Sequence, residues 1–242
     1  MKITAQMLML MSLCVACFAT QPTSLIVSPV SVEHKVTLSQ ALGQIGVRVQ
    51  GGYVLFGIDI PRVPEPEVDL KIVDPTSLGT ALGHIVGQLE GYGFRTISDH
   101  VIEVYSIREF LDPADVLNLH VGHFVVANRP AGDIFSKPAS FIPELRNHIL
   151  QGKAVQACGS IGPGLSSAGP GITLELHEAT LREVLDAVAE SDAVLLAHIY
   201  THTSPVGWVH RVRIDKKGNF VDAWSVLSTV PHGWEHNIPH AH

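Results

Sequence analysis

Cysteine and clustered positive charge are both scarce in this chain of 242 residues. It has three cysteines, and two of them, Cys14 and Cys17, lie in an apolar N-terminal segment that we expect to be removed. The remaining Cys158 cannot form an internal disulfide, so the fold must depend on core packing. No base lies near Cys158 in the sequence, which favours a small half-buried side chain over a reactive thiol.

The charge balance excludes one class of partner. The net charge is −7 and no run of basic residues occurs. Binding to nucleic acid requires clustered Lys and Arg that neutralise phosphates. The sequence therefore predicts no nucleic-acid partner.

The N-terminal segment has the layout of a secretion signal. Lys2 is followed by an apolar run from Met7 to Ala19, and Pro22 breaks the run. The run is shorter than the roughly 20 residues that a transmembrane helix needs. We expect a signal peptide over residues 1–19, cut after Ala19, and a periplasmic or secreted product. The alternative is an ordinary buried N-terminal helix.

Lipidation is a second possibility for this segment. Cys17 follows Cys14-Val15-Ala16, whereas a bacterial lipobox has Leu at the position that Cys14 occupies. Simple secretion is favoured for that reason. An outer-membrane lipoprotein anchored at Cys17 stays the alternative.

Three segments have the spacing of amphipathic helices, with apolar residues at i, i+3, i+4 and i+7. Thr37 with Gln40 and Thr180 with Glu183 form capping boxes that define two of the helix starts, and Thr76 or Ser77 can cap the third. The apolar positions are Leu38, Ala41, Leu42 and Ile45; Leu78, Ala81, Leu82 and Ile85; and Leu181, Val184, Leu185 and Val188. A further helix is predicted over Pro138–Leu150.

Alternating apolar and polar residues predict a strand before two of these helices, at residues 68–72 and 172–176. A hairpin is predicted at Tyr92–Thr96 and Val101–Tyr105. Further strands are predicted at Tyr53–Ile60, Leu119–Ala127, Ala193–Tyr200 and Trp208–Ile214. A strand-and-helix unit that recurs about 100 residues later indicates an internal repeat.

These elements predict an α+β fold of two small modules, each with a short sheet covered by two helices. The first module spans residues 31–110 and the second spans 111–229. Residues 159–171 are rich in Gly and Pro and are interpreted as a surface loop or linker. Residues 230–242 form a His-rich tail.

Residues 34–106 resemble the secretin and TonB short N-terminal domain, a small periplasmic α+β module. The resemblance rests on Val36 to Leu42, on Val68 to Leu82, and on Tyr92 to Arg95 with His100 to Val104. Ile172 to Ala189 is similar to part of a second copy.

The resemblance implies docking rather than catalysis. Such domains lie at the N-terminus of outer-membrane pores or transporters and contact periplasmic partners. No sequence like a β-barrel or a secretin domain follows here. We therefore expect a non-enzymatic adaptor that docks to an outer-membrane secretion or transport component. The family supplies no catalytic residue, cofactor site or metal ligand to this sequence.

The tail supports the alternative function, an envelope protein that binds a metal or small ligand. His232, Glu235 and His236 match the H-x-x-E-H pattern of inverted zinc peptidases. That chemistry needs a helix and a third acidic ligand downstream, and both are missing here. Loose chelation by His232, His236, His240 and His242 remains open beside a plain solvated tail.

We assign no catalytic, cofactor-binding or metal-ligand residue from the sequence alone. His84, His148 and His177 are interpreted as surface or core residues rather than ligands. The tryptophans, which are Trp208, Trp224 and Trp234, are interpreted as core or edge residues.

Overall fold

The computed structural model describes residues 25–50, 53–151, 157–161, 171–198, 206–214 and 217–228. This part of the chain contains both helices and strands, and the predicted α+β class is confirmed. No helix among these residues has both the length and the hydropathy that crossing a membrane requires.

The described residues form six α-helices. Thr37 caps the first helix through the predicted box with Gln40, and Ser77, not Thr76, caps the second through the backbone N–H of Thr80. Thr180 and Glu183 make the second predicted box. The helices are Leu38–Gly46 (α1), Leu78–Val86 (α2), Ile107–Leu111 (α3), Ala131–Ser136 (α4), Pro143–Leu150 (α5) and Leu181–His198 (α6).

The strands are numbered β1 to β15. They are Ile26–Val27 (β1), Val30–Ser31 (β2), Val36–Thr37 (β3), Val49–Gln50 (β4), Leu55–Ile60 (β5), Glu67–Val68 (β6), Lys71–Ile72 (β7), Thr76–Ser77 (β8), Tyr92–Thr96 (β9), Val101–Ser106 (β10), His120–Pro130 (β11), Ala157–Ile161 (β12), Gly171–Thr180 (β13), Val206–Ile214 (β14) and Phe220–Ser228 (β15).

A six-stranded sheet in the order β12-β15-β14-β5-β10-β9 lies at the centre of the molecule. Strands of both predicted modules belong to it, because β5 pairs in parallel with β14. The two predicted short sheets are thus halves of one sheet. All six residues of β5 are buried, as expected for a strand with neighbours on both sides.

The two halves of the sheet have the same pairing. In the first half β10 is parallel to β5 and antiparallel to β9. In the second half β15 is parallel to β12 and antiparallel to β14. Strands β5, β10 and β9 therefore correspond to β12, β15 and β14.

Each half also has an antiparallel ribbon whose strands lead into its helices. In the first unit β1, β2 and β3 precede α1 and pair with β8, β7 and β6, which precede α2, and β1 also pairs with β4. In the second unit β11 pairs with β13, and these strands precede α4 and α6. The two units thus share the order ribbon strand, helix, strand, ribbon strand, helix and hairpin.

The core has two layers, one on each face of the central sheet. One contains α1, α2 and the first ribbon, packed on alternate residues such as Phe56, Ile58 and Val209. The other contains α4, α6 and the second ribbon, packed on Leu55 and Trp208. Each helix pair therefore lies between a ribbon and the sheet.

Three sequence predictions need correction. Residues 193–198 belong to α6 and not to a strand, because a short apolar run fits a buried helix as well as a strand. Gly159–Ile161 lies in edge strand β12 rather than in a loop. The predicted helix Pro138–Leu150 is a 3-10 turn at Pro138–Ser140 followed by α5, with Pro143 in its first turn.

Candidate functional site

Charged side chains are buried on the face of the central sheet that α6 covers. Asp59 on β5, Glu103 on β10 and His210 on β14 point to this face, and Arg182 comes from α6. All four are at most 2% exposed. Burying an unpaired charge destabilises the folded state, so each of these side chains needs a partner of opposite charge or a hydrogen bond.

Arg182 connects α6 to the first unit. Its guanidinium donates hydrogen bonds to Glu103 and, over 3.3 Å, to Asp59. It also lies 5.0 Å from the centre of the Phe110 ring. Burial alone would lower the pKa of Arg182, but the charges of Glu103 and Asp59 reverse that effect and raise it.

His210 lies between two carboxylates. Its Nδ1 is 3.0 Å from Oδ1 of Asp59, and its Nε2 is 2.9 Å from Oδ1 of Asp222. Burial alone would lower the pKa of His210, but hydrogen bonds and charge from Asp222 and Asp59 raise it to about 9. The ring is therefore an imidazolium that donates from both nitrogens at neutral pH.

Asp186 on α6 faces the same cluster. Trp208 Nε1 donates to its Oδ1 over 3.2 Å, and Arg95 donates to its Oδ2 over 2.9 Å. Arg95 also donates to Glu103 over 2.6 Å. Burial, reinforced by the charge of Glu103, raises the pKa of Asp186 to about 8.

The cluster holds more acidic than basic groups, and this imbalance adds to the effect of burial on the pKa values of Asp115 and Asp186. Burial and the charge of Asp59 raise the pKa of Asp115 to about 6. The acidic groups are Asp59, Glu103, Asp115, Asp186 and Asp222, and the basic groups are Arg95, Arg182 and His210. The excess of carboxyl groups over basic groups is consistent with the raised pKa of Asp186.

The buried cluster joins the two units and gives little access to a substrate. It links β5 and β10 of the first unit to α6, β14 and β15 of the second. Asp59, Glu103, Arg182 and His210 have side chains at most 3% exposed. Its arrangement suits holding α6 and the sheet in register rather than acid–base chemistry on a bound molecule.

A second polar group lies on the solvent face of the β11–β13 ribbon. His123 is the direct cross-strand partner of His177, and Glu175 lies two residues before His177 on the same face. Oε1 of Glu175 is 3.1 Å from Nε2 of His123 and 3.2 Å from Nε2 of His177. The imidazole rings stack with centroids 4.5 Å apart and planes 2° from parallel.

The alternation of the ribbon explains this placement. Phe124, Val126 and Ile172 are buried against α4 and α6, so the intervening residues of both strands face solvent. Hydrogen bonding to His123 and the charge of His177 lower the pKa of Glu175. The three possible ligand atoms lie within 4.8 Å of one another.

The structure places only some of the candidates considered from sequence. His177 and His84 are exposed and His148 is half-buried, and of these only His177 lies in the His123 group. Trp208 and Trp224 are core residues. The side chain of Cys158, together with Cys17, Trp234 and the tail histidines, lies outside the described residues.

Sequence reasoning missed both polar groups because their members are far apart in the chain. Asp59 and Glu103 left one signal, since each interrupts an apolar strand, as in Ile58-Asp59-Ile60. The pairing of His123 with His177 depends on strand register, and the alternating pattern excludes a shift of one residue but not a shift of two.

Comparison of the chain with protein-family models, curated proteins and solved structures found no match.

Proposed function

We propose that this chain is a non-enzymatic envelope protein that docks to an outer-membrane secretion or transport component. We place it in the periplasm or outside the cell, with an outer-membrane lipoprotein anchored at Cys17 as the alternative. The proposal continues the resemblance to the secretin and TonB short N-terminal domain. It is supported by the paired ribbon, helices and hairpin that both units contain.

The proposed mode of docking rests on the correspondence between β9 and β14. Strand β9 occupies the place in the first unit that β14 occupies in the second, and β14 accepts β5 as a parallel neighbour. Within the described residues, β9 pairs only with β10. The open edge of β9 therefore corresponds to an edge that already binds a strand in this protein. An extended segment of the partner would add there as a further strand.

Apolar side chains at the end of the β9–β10 pair would extend the docking surface. Helix α3 begins beside β9, where the N–H of Ile107 donates to the carbonyl of Gly91 over 2.8 Å. Ile107 is 44% exposed and Leu111 is 72% exposed. Both side chains are exposed at the end of the β9–β10 pair, where they offer apolar contacts to a partner that adds to the sheet.

The test is co-purification of the tagged protein from native envelopes after mild crosslinking, with Leu111→Asp as the interface variant. Leu150→Asp is the matched control, because Leu150 is 77% exposed and lies at the end of α5. We expect an outer-membrane pore or transporter to be recovered with the unmodified protein and the control but lost with Leu111→Asp. Recovery of the protein alone, across salt and crosslinker conditions, would reject the docking role.

A further inference from the structure

We propose that His123, Glu175 and His177 bind one divalent transition-metal ion, Zn²⁺ or a metal of similar preference, on the outer face of the β11–β13 ribbon. The proposal does not depend on the docking function. It also differs from chelation by the C-terminal histidines, because all three ligands belong to the folded second unit.

The distances in the group fit a metal ion. Zn²⁺ bound to His nitrogen and carboxylate oxygen at about 2.0–2.2 Å in a tetrahedral site separates its ligand atoms by about 3.3 Å. Oε1 of Glu175 lies 3.1 and 3.2 Å from the two imidazole Nε2 atoms. The stacked imidazole rings must also turn so that both Nε2 atoms point at one ion, and their exposure on the ribbon leaves them free to do so.

The register of β11 and β13 places the three ligand residues next to one another in the metal-free protein. His123 and His177 occupy paired positions, and the flanking pairs Phe124 with Leu176 and Val125 with Glu175 fix the strand register. Phe124 is buried in the core beneath the ribbon. The backbone positions of the ligands are therefore already set in the metal-free protein, and only their side chains must reorient on binding, which lowers the entropic cost of binding.

The donor types select the class of metal. Two imidazoles with one carboxylate suit Zn²⁺, Cu²⁺ or Ni²⁺, whereas Ca²⁺ and Mg²⁺ prefer sites made of oxygen ligands. The side chains are 50–64% exposed, so solvent reaches the site. Three protein ligands leave a coordination position for water or for a donor from another molecule.

The test is calorimetric titration with Zn²⁺ of the full-length secreted protein in which the four tail histidines, His232, His236, His240 and His242, are replaced by Ala. This background removes chelation by the tail. We expect one bound ion per chain. His123→Ala or His177→Ala should raise the Kd at least tenfold, which corresponds to about 1.4 kcal/mol. His84→Ala, which removes an exposed histidine from α2, should leave the Kd unchanged.

Two further measurements separate loss of the ligand from loss of the fold. Because His123 is exposed, His123→Gln should keep the Tm of the metal-free protein while losing the rise in Tm that Zn²⁺ produces. Cu²⁺ should give an electron paramagnetic resonance spectrum with coupling to two imidazole nitrogens. Absence of Zn²⁺ binding in the tail-substituted protein, or an unchanged Kd in both alanine variants, would overturn the proposal.

Discussion

His210 and Asp59 are cross-strand partners in the parallel pair that joins the two units, and 3.0 Å separates Nδ1 of the imidazole from Oδ1 of the carboxylate. A charged pair therefore lies at the junction of β5 and β14, where both side chains are at most 1% exposed. The stability of this junction should depend on the protonation of the imidazole.

We expect the free energy of unfolding to fall as the pH rises from 6.5 to 9.5. The pKa of His210 is raised from 6.5 to about 9 in the folded protein. A raised histidine pKa adds stability that is complete below pH 6.5 and is lost as the pH passes about 9. Asp186 acts in the same direction, because its raised pKa, about 8, makes its ionisation in the folded state unfavourable. The expected loss from His210 alone is about 3 kcal/mol.

Urea unfolding at pH 6.5 and 9.5 measures this change. The matched variant is His210→Gln, which keeps a hydrogen-bonding side chain but does not titrate. It should be less stable than the unmodified protein at pH 6.5 and should depend less on pH. A free energy of unfolding that stays constant over this range would contradict the protonation assigned to His210.

Replacing Arg182 by Met should destabilise the protein by about 3–5 kcal/mol. The substitution keeps much of the side-chain volume but leaves Glu103 and Asp59 without their shared cation in a buried site. Denaturant unfolding measures the loss. Arg108→Met on the exposed face of α3 is the control and should change stability by less than about 0.5 kcal/mol. If Arg182→Met lost no more stability than Arg108→Met, the buried ion pairs would have little effect on the free energy of unfolding.

Two glycines offer a paired test of packing at the centre of the sheet. A Cβ at Gly57 would lie 2.6 Å from Cε2 of the buried Trp208, so Gly57→Ala should destabilise the protein by about 1–3 kcal/mol or more. A Cβ at Gly83 in α2 would meet nothing within 4 Å. Gly83→Ala should therefore stabilise the protein by up to about 1 kcal/mol through helix propensity.

Thermal unfolding of both variants makes the comparison direct. The expected result is a lower Tm for Gly57→Ala and an equal or higher Tm for Gly83→Ala. A Gly57→Ala protein as stable as the unmodified one would mean that Trp208 can move away from β5 at little cost.

Local sequence signals predicted the starts of α1, α2 and α6 and the first hairpin, but not α3 or α4. The capping boxes at Thr37 and Thr180 each involve a partner three residues later. Both boxes form the hydrogen bonds that the sequence predicted. Tyr92–Thr96 and Val101–Ser106 form the expected antiparallel pair. Such signals depend on neighbouring residues, which is why one sequence was sufficient.

Long-range pairing could not be predicted in the same way. No residue pattern indicates that β5 will lie next to β14, because an apolar strand accepts many neighbours. The buried ion cluster follows from that pairing, since His210 meets Asp59 only across it. The His123 group likewise depends on the register between β11 and β13. Sequence reasoning had therefore described the parts of each unit but not how the units meet.

The parallel contact between β5 and β14 has a consequence for self-assembly. Strand β14 of one unit meets β5 of the other, and these strands do not correspond, so the contact is heterologous rather than self-complementary. The strands at the two ends of the sheet, β9 and β12, correspond to the two that meet in the middle. Repetition of the central contact between molecules would extend the sheet into a linear polymer. Such growth would require the edge of β9 to accept a strand, and Arg95 places a charged side chain on this strand, a feature that opposes edge-to-edge pairing.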